Sequence, residues 1–303
     1  MTTPRKLLVD DKTPLFYHIV SRCVRRSWLC GYDPQTRRDY SHRKEWLESR
    51  LHLLGRAFSL NVYAYAIMNN HFHLVVYYDP TANQRWSNEE VVDRWLVACP
   101  PNTSNRIDEK EMREIRRGLL IRNEAQIERI RGCLGSLSVF MKLLKQPIAR
   151  RANVEDECRG HFFEQRFYSG ALLDEQAVLA AMAYVDLNPV RAKIARTIEE
   201  AKHTSVQARL QAASRVGLAE YLEPVVVGLP EVATMPMTTR EYVDRLRSIC
   251  TELHEQRRSP KYSKWHDQMM ALKRPQRAYG SIALLKQWIN QRSLSLRELA
   301  LPN

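Results

Sequence analysis

Two histidines in this sequence have a spacing that could support chemistry. His71 and His73 are separated by one residue in NNHFHLVVYY, a segment predicted to be a strand. Because side chains alternate across a strand, both imidazoles point to one face, whereas Phe72, Leu74 and Val76 point to the other. Imidazoles have ordinary pKa values near 6.5, so near neutral pH they are mostly uncharged and available to a metal. Alone, an H-x-H triplet is weak evidence, because a chain with this many histidines contains one by chance in about a quarter of cases.

A tyrosine and an asparagine form the second pattern. Tyr184 and Asn188 lie four residues apart on a predicted helix that begins after Asp174, so they share one face. That face continues back through three small residues: Ala177, Ala180 and Ala181. Small neighbours leave space around the phenol, which could then reach something other than the core. The alternative is an ordinary, partly buried tyrosine whose hydroxyl is hydrogen-bonded.

The elements that would position these residues predict an α+β fold with a central antiparallel sheet packed with helices. Strands are predicted at 16–23 and on both sides of Met68-Asn69-Asn70 within 61–78, a hairpin whose asparagines can accept left-handed geometry. Helices are predicted at 42–58, 88–98, 108–131 and 136–152, followed by a strand or strand pair at 161–173. The helix after Asp174 should end at Asn188-Pro189. From about 204 the sequence loses strand character and ends in helices at 238–256 and 262–293.

Composition narrows the function classes. The 303 residues carry a net charge of +13, of which residues 201–303 contribute seven and the first 200 residues six. The ten glycines form neither G-x-G-x-x-G nor a P-loop, so no nucleotide cofactor is expected. No C-x-x-C pair occurs among the six cysteines, and no apolar segment is long enough to span a membrane, which predicts a cytoplasmic protein without a membrane partner.

Basic residues are concentrated near the end of the chain. From Arg257 to Arg292 there are nine lysines and arginines, among them Arg258 and Lys261, against one acid. Aromatic residues are interleaved with them, a mixture that suits a phosphate backbone with exposed bases. A solvated charged face is the plainer interpretation.

Together these segments resemble the single-tyrosine HUH transposases and, among them, the REP-associated tyrosine transposases of bacteria. The resemblance is carried by His71-Phe72-His73 and by YVDLNPVRA at 184–192. Further matches follow in the same order along the chain: FYHIVSR (16–22), YAIMNNHFHLVV (65–76), SLSVFMKLLKQPIARR (136–151) and GHFFEQRFYS (160–169). The matched segments cover about 1–79 and 133–200.

The resemblance implies a compact HUH, ferredoxin-like core and metal-dependent cleavage of single-stranded or hairpin DNA through a 5′-phosphotyrosine, with transfer to another DNA end. By the same resemblance, His71, His73 and Asn188 would hold Mg²⁺ or Mn²⁺, and Tyr184 would be the nucleophile. The DNA could be a repeated palindromic element, and the protein a monomer or homodimer. Tyr168 is the rival nucleophile, although it lies on a strand-like segment and has no Asn or Gln four residues later.

Other parts of the chain are assigned more coarsely. Residues 1–200 are predicted to form the catalytic core, with a helical insertion at about 80–132, and 201–303 a basic, mainly helical extension that is a candidate DNA-binding region. Candidate phosphate contacts near the matched segments are Arg22, Arg25, Lys142, Arg150, Arg166 and Arg191. Two alternatives remain: a protein that grips DNA hairpins without cutting, and a metal-dependent phosphodiesterase that uses water.

Overall fold

The computed structural model describes residues 9–24, 30–101, 108–164, 166–216, 221–230, 232–255, 263–292, 294 and 299. The strands are β1 (Leu15–Arg22), β2 (Tyr32–Asp33), β3 (Arg38–Asp39), β4 (Leu60–Ile67), β5 (His71–Tyr78), β6 (Tyr168–Leu172) and β7 (Ala278–Tyr279). The helices are α1 (His42–Gly55), α2 (Asn88–Ala98), α3 (Glu109–Ile121), α4 (Glu124–Leu134), α5 (Leu137–Glu155), α6 (Glu175–Asp186), α7 (Asn188–Arg191), α8 (Ser205–Val216), α9 (Thr239–Glu255), α10 (Ser263–Ala271) and α11 (Ile282–Gln291), with a 3-10 turn at Ala82–Arg85.

Within the described ranges, five strands form the central sheet in the order β4-β5-β1-β6-β7. The pairs β4–β5, β5–β1 and β1–β6 are antiparallel, whereas β6 and β7 are parallel. The predicted α+β fold with a central antiparallel sheet is therefore confirmed. Strand β7 was not predicted, because a two-residue strand is too short to show the alternation that identifies one.

Helices cover both faces of the sheet. On one face, Ile19, Phe72 and Leu74 pack into a core with α1, α2, α4 and α5. On the other face, Val75 packs into a second core with α6, α8, α9 and α10. Burial on both faces explains why β4 and β5 are apolar at nearly every position instead of alternating with polar residues.

Two predicted long helices are each interrupted, so the prediction of single helices at 108–131 and 262–293 is wrong. The first divides into α3 and α4, since the Asn123 side chain accepts a hydrogen bond from the backbone N–H of Gln126 and starts a new helix. The second divides into α10 and α11, with β7 between them. No helix in the described ranges is both long and apolar enough to cross a membrane.

Candidate active site

The two histidines of β5 lie on one face of the strand. His73 is buried, and His71, at the start of the strand, is half-buried. Phe72 and Leu74 point to the opposite face and belong to the core beneath α1 and α5. The alternation predicted from the sequence therefore places both imidazoles in the layer that α6 covers.

The turn before β5 is held by the rest of the protein. The Asn69 side-chain oxygen accepts a hydrogen bond from Lys44 Nζ at 2.7 Å. The backbone carbonyls of Asn69 and Asn70 accept hydrogen bonds from the N–H groups of Cys30 and Cys23, both at 2.8 Å. Neither asparagine has a positive φ. The predicted hairpin is confirmed, but the left-handed geometry is wrong, because tertiary hydrogen bonds hold this turn.

The Asn70 side chain determines which nitrogen of His71 carries a hydrogen. Its Oδ1 atom lies 2.6 Å from His71 Nδ1. A carboxamide oxygen can only accept, so Nδ1 is the donor. In a neutral ring the other nitrogen, Nε2, is then left with a free lone pair, which is the form that binds a metal.

Asn188 reaches the second histidine from the end of α6. Leu187 keeps helical backbone angles between α6 and α7 (φ −85, ψ −2), so Tyr184 and Asn188 remain on the same side although Pro189 follows. Asn188 Nδ2 donates to His73 Nε2 at 3.1 Å. Helix α6 ends next to the predicted end at Asn188-Pro189. The additional helical turn α7 was not predicted.

A third histidine, His18 on β1, completes the cluster. Its Nε2 lies 3.0 Å from His73 Nδ1, and the two rings are nearly parallel with centroids 5.2 Å apart. The register explains the contact: His73 pairs with Val20 and Val75 with His18, so the histidines are diagonal neighbours on one face. Sequence reasoning missed His18, because the register of β1 against β5 cannot be derived from either segment alone.

Burial keeps the imidazoles uncharged. Desolvation lowers the pKa of His18 to about 3 and that of His71 to about 4. It lowers the pKa of His73 well below its ordinary value, and the positive charges of Arg22 and Arg191 act in the same direction. All three rings are therefore neutral at pH 7.

Tyr184 lies against two of these histidines. Its ring centroid is 5.7 Å from that of His73 and 5.8 Å from that of His18, both edge to face. The Arg191 guanidinium carbon lies 4.4 Å from the Tyr184 ring centroid. Further back on the same helix face, Ala177 and Ala180 line a cavity of about 390 Å³ beside α10. Tyr184 does not line this cavity, so the predicted space around its phenol stays a prediction.

Tyr168, the rival nucleophile, is committed to other partners. Its hydroxyl donates to the Gln276 carbonyl oxygen and lies 2.8 Å from the Tyr279 hydroxyl on β7. Desolvation raises its pKa well above the ordinary value, and the hydrogen bond with Tyr279 adds to this. An attack by Tyr168 would have to break these contacts.

Asp186 anchors the end of α6 from the opposite side. This buried carboxylate accepts hydrogen bonds from the hydroxyls of Ser205 and Tyr242 and from the N–H of Val206. Desolvation raises the pKa of Asp186, and the nearby Arg209 charge opposes that shift. The network ties α6 to α8 and α9 just where Tyr184 and Asn188 must be positioned.

The basic residues predicted to contact phosphate lie at several different places in the fold. Arg22 is the last residue of β1 and pairs with His71, and Arg191 covers Tyr184, so both flank the cluster. Lys142 and Arg150 are exposed on α5, which packs in the layer on the other face of the sheet. The remaining arginine near the core, Arg166, is exposed before β6. Outside the described residues lie Arg25 and, in the C-terminal basic stretch, Arg257, Arg258 and Lys261.

Two imidazoles and an amide form an incomplete donor set for a divalent cation, with coordination positions left for other ligands. Both candidate histidines present an unprotonated Nε2, and the Asn188 amide can supply an oxygen. Among the described residues, no group of three or more His, Cys, Asp or Glu is arranged to hold a metal. Any third protein donor beside His71 and His73 would therefore be of another kind, and Asn188 is the amide that lies against His73.

Comparison with known proteins gives one distant likeness to report. No family model matches the chain, and no curated protein matches it in sequence. A solved structure, described as that of a REP-associated tyrosine transposase bound to a REP hairpin, aligns with 74% of this chain and 90% of its own. The sequence identity is 11% and the TM-score 0.40.

Proposed function

We propose that this protein cleaves and rejoins single-stranded or hairpin DNA, with Tyr184 as the nucleophile. The supporting observation is that Tyr184 and Asn188 both contact His73, which lies more than a hundred residues earlier in the sequence. A phenol can act as a covalent nucleophile toward a phosphodiester, and here an amide and unprotonated imidazoles lie beside it at one partly open position.

In this proposal the Tyr184 hydroxyl attacks the phosphorus of a phosphodiester. The bond formed joins the tyrosine oxygen to phosphorus, and the bond broken releases a 3′-hydroxyl, so the number of phosphoester bonds is conserved. The reverse attack by a 3′-hydroxyl rejoins DNA without consuming a nucleotide. Arg191 stabilises the negative charge that develops on Tyr184, since its guanidinium lies 4.4 Å from the ring centroid.

His71, His73 and Asn188 are proposed to hold Mg²⁺ or Mn²⁺. When bound, the cation would polarise the scissile phosphate and offset its charge. The protein's own contribution is to keep both imidazoles neutral by burial and to orient them. Arg22 and Arg191 are proposed to bind the flanking phosphates.

A covalent trapping experiment tests the nucleophile. Labelled hairpin and single-stranded DNA, including palindromic repeats from the DNA flanking the gene, are incubated with Mg²⁺ or with Mn²⁺ and resolved on a denaturing gel. Wild type should give a protein–DNA adduct and a shorter product, whereas Tyr184→Phe should give neither. Tyr168→Phe is the matched control and should retain the adduct.

Other outcomes would favour the alternatives. Equal cleavage by wild type and Tyr184→Phe, without an adduct, would contradict the nucleophile assignment and favour a phosphodiesterase that uses water. Hairpin binding that is unchanged in Tyr184→Phe, with no cleavage by wild type in either metal, would favour a protein that binds without cutting.

A further inference from the structure

We infer that His18 is a positioning residue that holds His73 in the tautomer able to bind a metal. This inference rests on the proposed function, because it assigns His18 a role toward the metal site proposed there. The observation that carries it is the pairing of His18 Nε2 with His73 Nδ1 at 3.0 Å.

Hydrogen-bond accounting gives the tautomer. A neutral imidazole carries one hydrogen on its two nitrogens. Asn188 Nδ2 is a donor, so His73 Nε2, which lies 3.1 Å from it, is an acceptor. The single hydrogen of His73 is therefore on Nδ1, from which it is donated to His18 Nε2.

The same arrangement occurs at the neighbouring ligand. His71 donates its Nδ1–H to Asn70 Oδ1 at 2.6 Å, which leaves its Nε2 unprotonated. Each candidate ligand thus has its own acceptor, Asn70 for His71 and His18 for His73. Partners of this kind orient a ligand ring and raise its basicity, and their loss usually weakens metal binding about 10- to 100-fold.

The burial of His18 also indicates a specific role. The residue is 1% exposed, and its Nδ1 has no hydrogen-bond partner among the described residues. Leucine or phenylalanine at this position would fill apolar space without leaving a buried polar atom unpaired. A histidine is explained here by what its other nitrogen does, which is to accept from His73.

His18 also contacts the proposed nucleophile. Its ring meets that of Tyr184 edge to face, with centroids 5.8 Å apart. One side chain therefore touches both the ring of a candidate ligand and the ring of the candidate nucleophile. Two substitutions separate these contacts: His18→Phe keeps an aromatic ring but removes the acceptor, and His18→Gln keeps an acceptor but removes the ring.

The first test needs neither metal nor DNA. Long-range proton–nitrogen NMR correlations in the metal-free full-length protein report which nitrogen of each histidine carries the hydrogen. Wild type and His18→Gln should show His73 protonated at Nδ1, and His18→Phe should lose that preference. Protonation of His73 at Nε2 in the wild type would overturn the inference, even if no variant could be purified.

The second test measures Mn²⁺ binding by calorimetry on the full-length protein. His18→Phe should bind Mn²⁺ about 10- to 100-fold more weakly than wild type, and His18→Gln within about threefold. His52→Phe is a matched control, because His52 also contacts a tyrosine ring, that of Tyr65, but lies on α1. Unchanged affinity in His18→Phe would overturn the inference.

Failure of this inference and failure of the proposed function give different results. If Tyr184 forms the adduct while His18→Phe keeps the tautomer and the Mn²⁺ affinity, only the role of His18 is wrong. If wild type forms no adduct while the His73 tautomer responds to His18 as expected, the positioning contact stands and the proposed reaction fails.

Discussion

Replacing Tyr242 by phenylalanine should destabilise the protein without removing any group that takes part in the proposed reaction. Tyr242 is fully buried on α9 and donates to Asp186 Oδ2 at 2.7 Å. Phenylalanine keeps the ring and removes only this donor. Asp186 would retain its hydrogen bonds from Ser205 and Val206, so the local fold should persist.

The expected size follows from the bond that is lost. A hydrogen bond to a charged group contributes about 1.5–3 kcal/mol to the free energy of unfolding. The entropy of unfolding is about 2.1 cal/mol/K per residue, so the total unfolding entropy of a chain of this length is about 0.6 kcal/mol/K. The melting temperature should therefore fall by about 2–5 °C.

The loss should grow with pH. Burial raises the pKa of Asp186 in the folded state, so the stability that this group contributes is present at low pH and lost as pH rises through the folded pKa. Removing the Tyr242 hydroxyl, which favours the carboxylate, raises the folded pKa further. The difference in unfolding free energy between variant and wild type should therefore be larger at about pH 8 than at about pH 5.

Thermal and urea unfolding at these two pH values provide the assay. Tyr221→Phe is the matched control, because Tyr221 is 52% exposed and should tolerate the change. A Tyr242→Phe melting temperature within about 1 °C of wild type, or a difference that narrows as pH rises, would refute the reasoning.

Two further predictions concern other parts of the structure. Burial tends to raise the pKa of Glu48, but hydrogen bonds from His203 and Tyr65, each at 2.7 Å, outweigh it and hold the pKa low. The stability that this carboxylate contributes is present above its unfolded-state pKa and is lost as pH falls through its folded-state pKa. Glu48→Gln should therefore lower the free energy of unfolding by about 1–2 kcal/mol near pH 7, and the difference from wild type should shrink in acid. A difference that does not change with pH in urea titrations would contradict this. Arg191→Gln should reduce the slope of log affinity against log salt for single-stranded DNA by about 0.7, measured by fluorescence anisotropy, and an unchanged slope would exclude a phosphate contact.

Local periodicity predicted much of the fold and part of the site. Alternation along β5 placed His71 and His73 on one face, and helical spacing placed Tyr184 and Asn188 on one side of α6 and α7. These predictions succeed because each depends on the geometry of a single element. The contact between the histidine pair and the tyrosine–asparagine pair depends on tertiary structure. The family resemblance implied this contact, whereas the spacing of the residues alone did not.

What could not be predicted depends on contacts between distant segments. His18 joins the cluster only through the register of β1 against β5. The interruption between α3 and α4 depends on the Asn123 side chain, which caps a new helix in a sequence that otherwise favours one continuous helix. The Tyr168 hydroxyl is hydrogen-bonded to that of Tyr279, more than a hundred residues later in the chain.

The parallel pairing of β6 with β7 has a consequence for synthesis and truncation. On the side of β6 away from β1, Ala171 and Leu172 pair with Ala278 and Tyr279. The ribosome must therefore synthesise most of the chain before the fifth strand can join the sheet. Until then β6 is an edge with unpaired backbone groups, which can recruit a strand from another molecule. A fragment that stops near residue 200 should therefore aggregate more readily than the full chain, even though it contains every residue of the candidate active site.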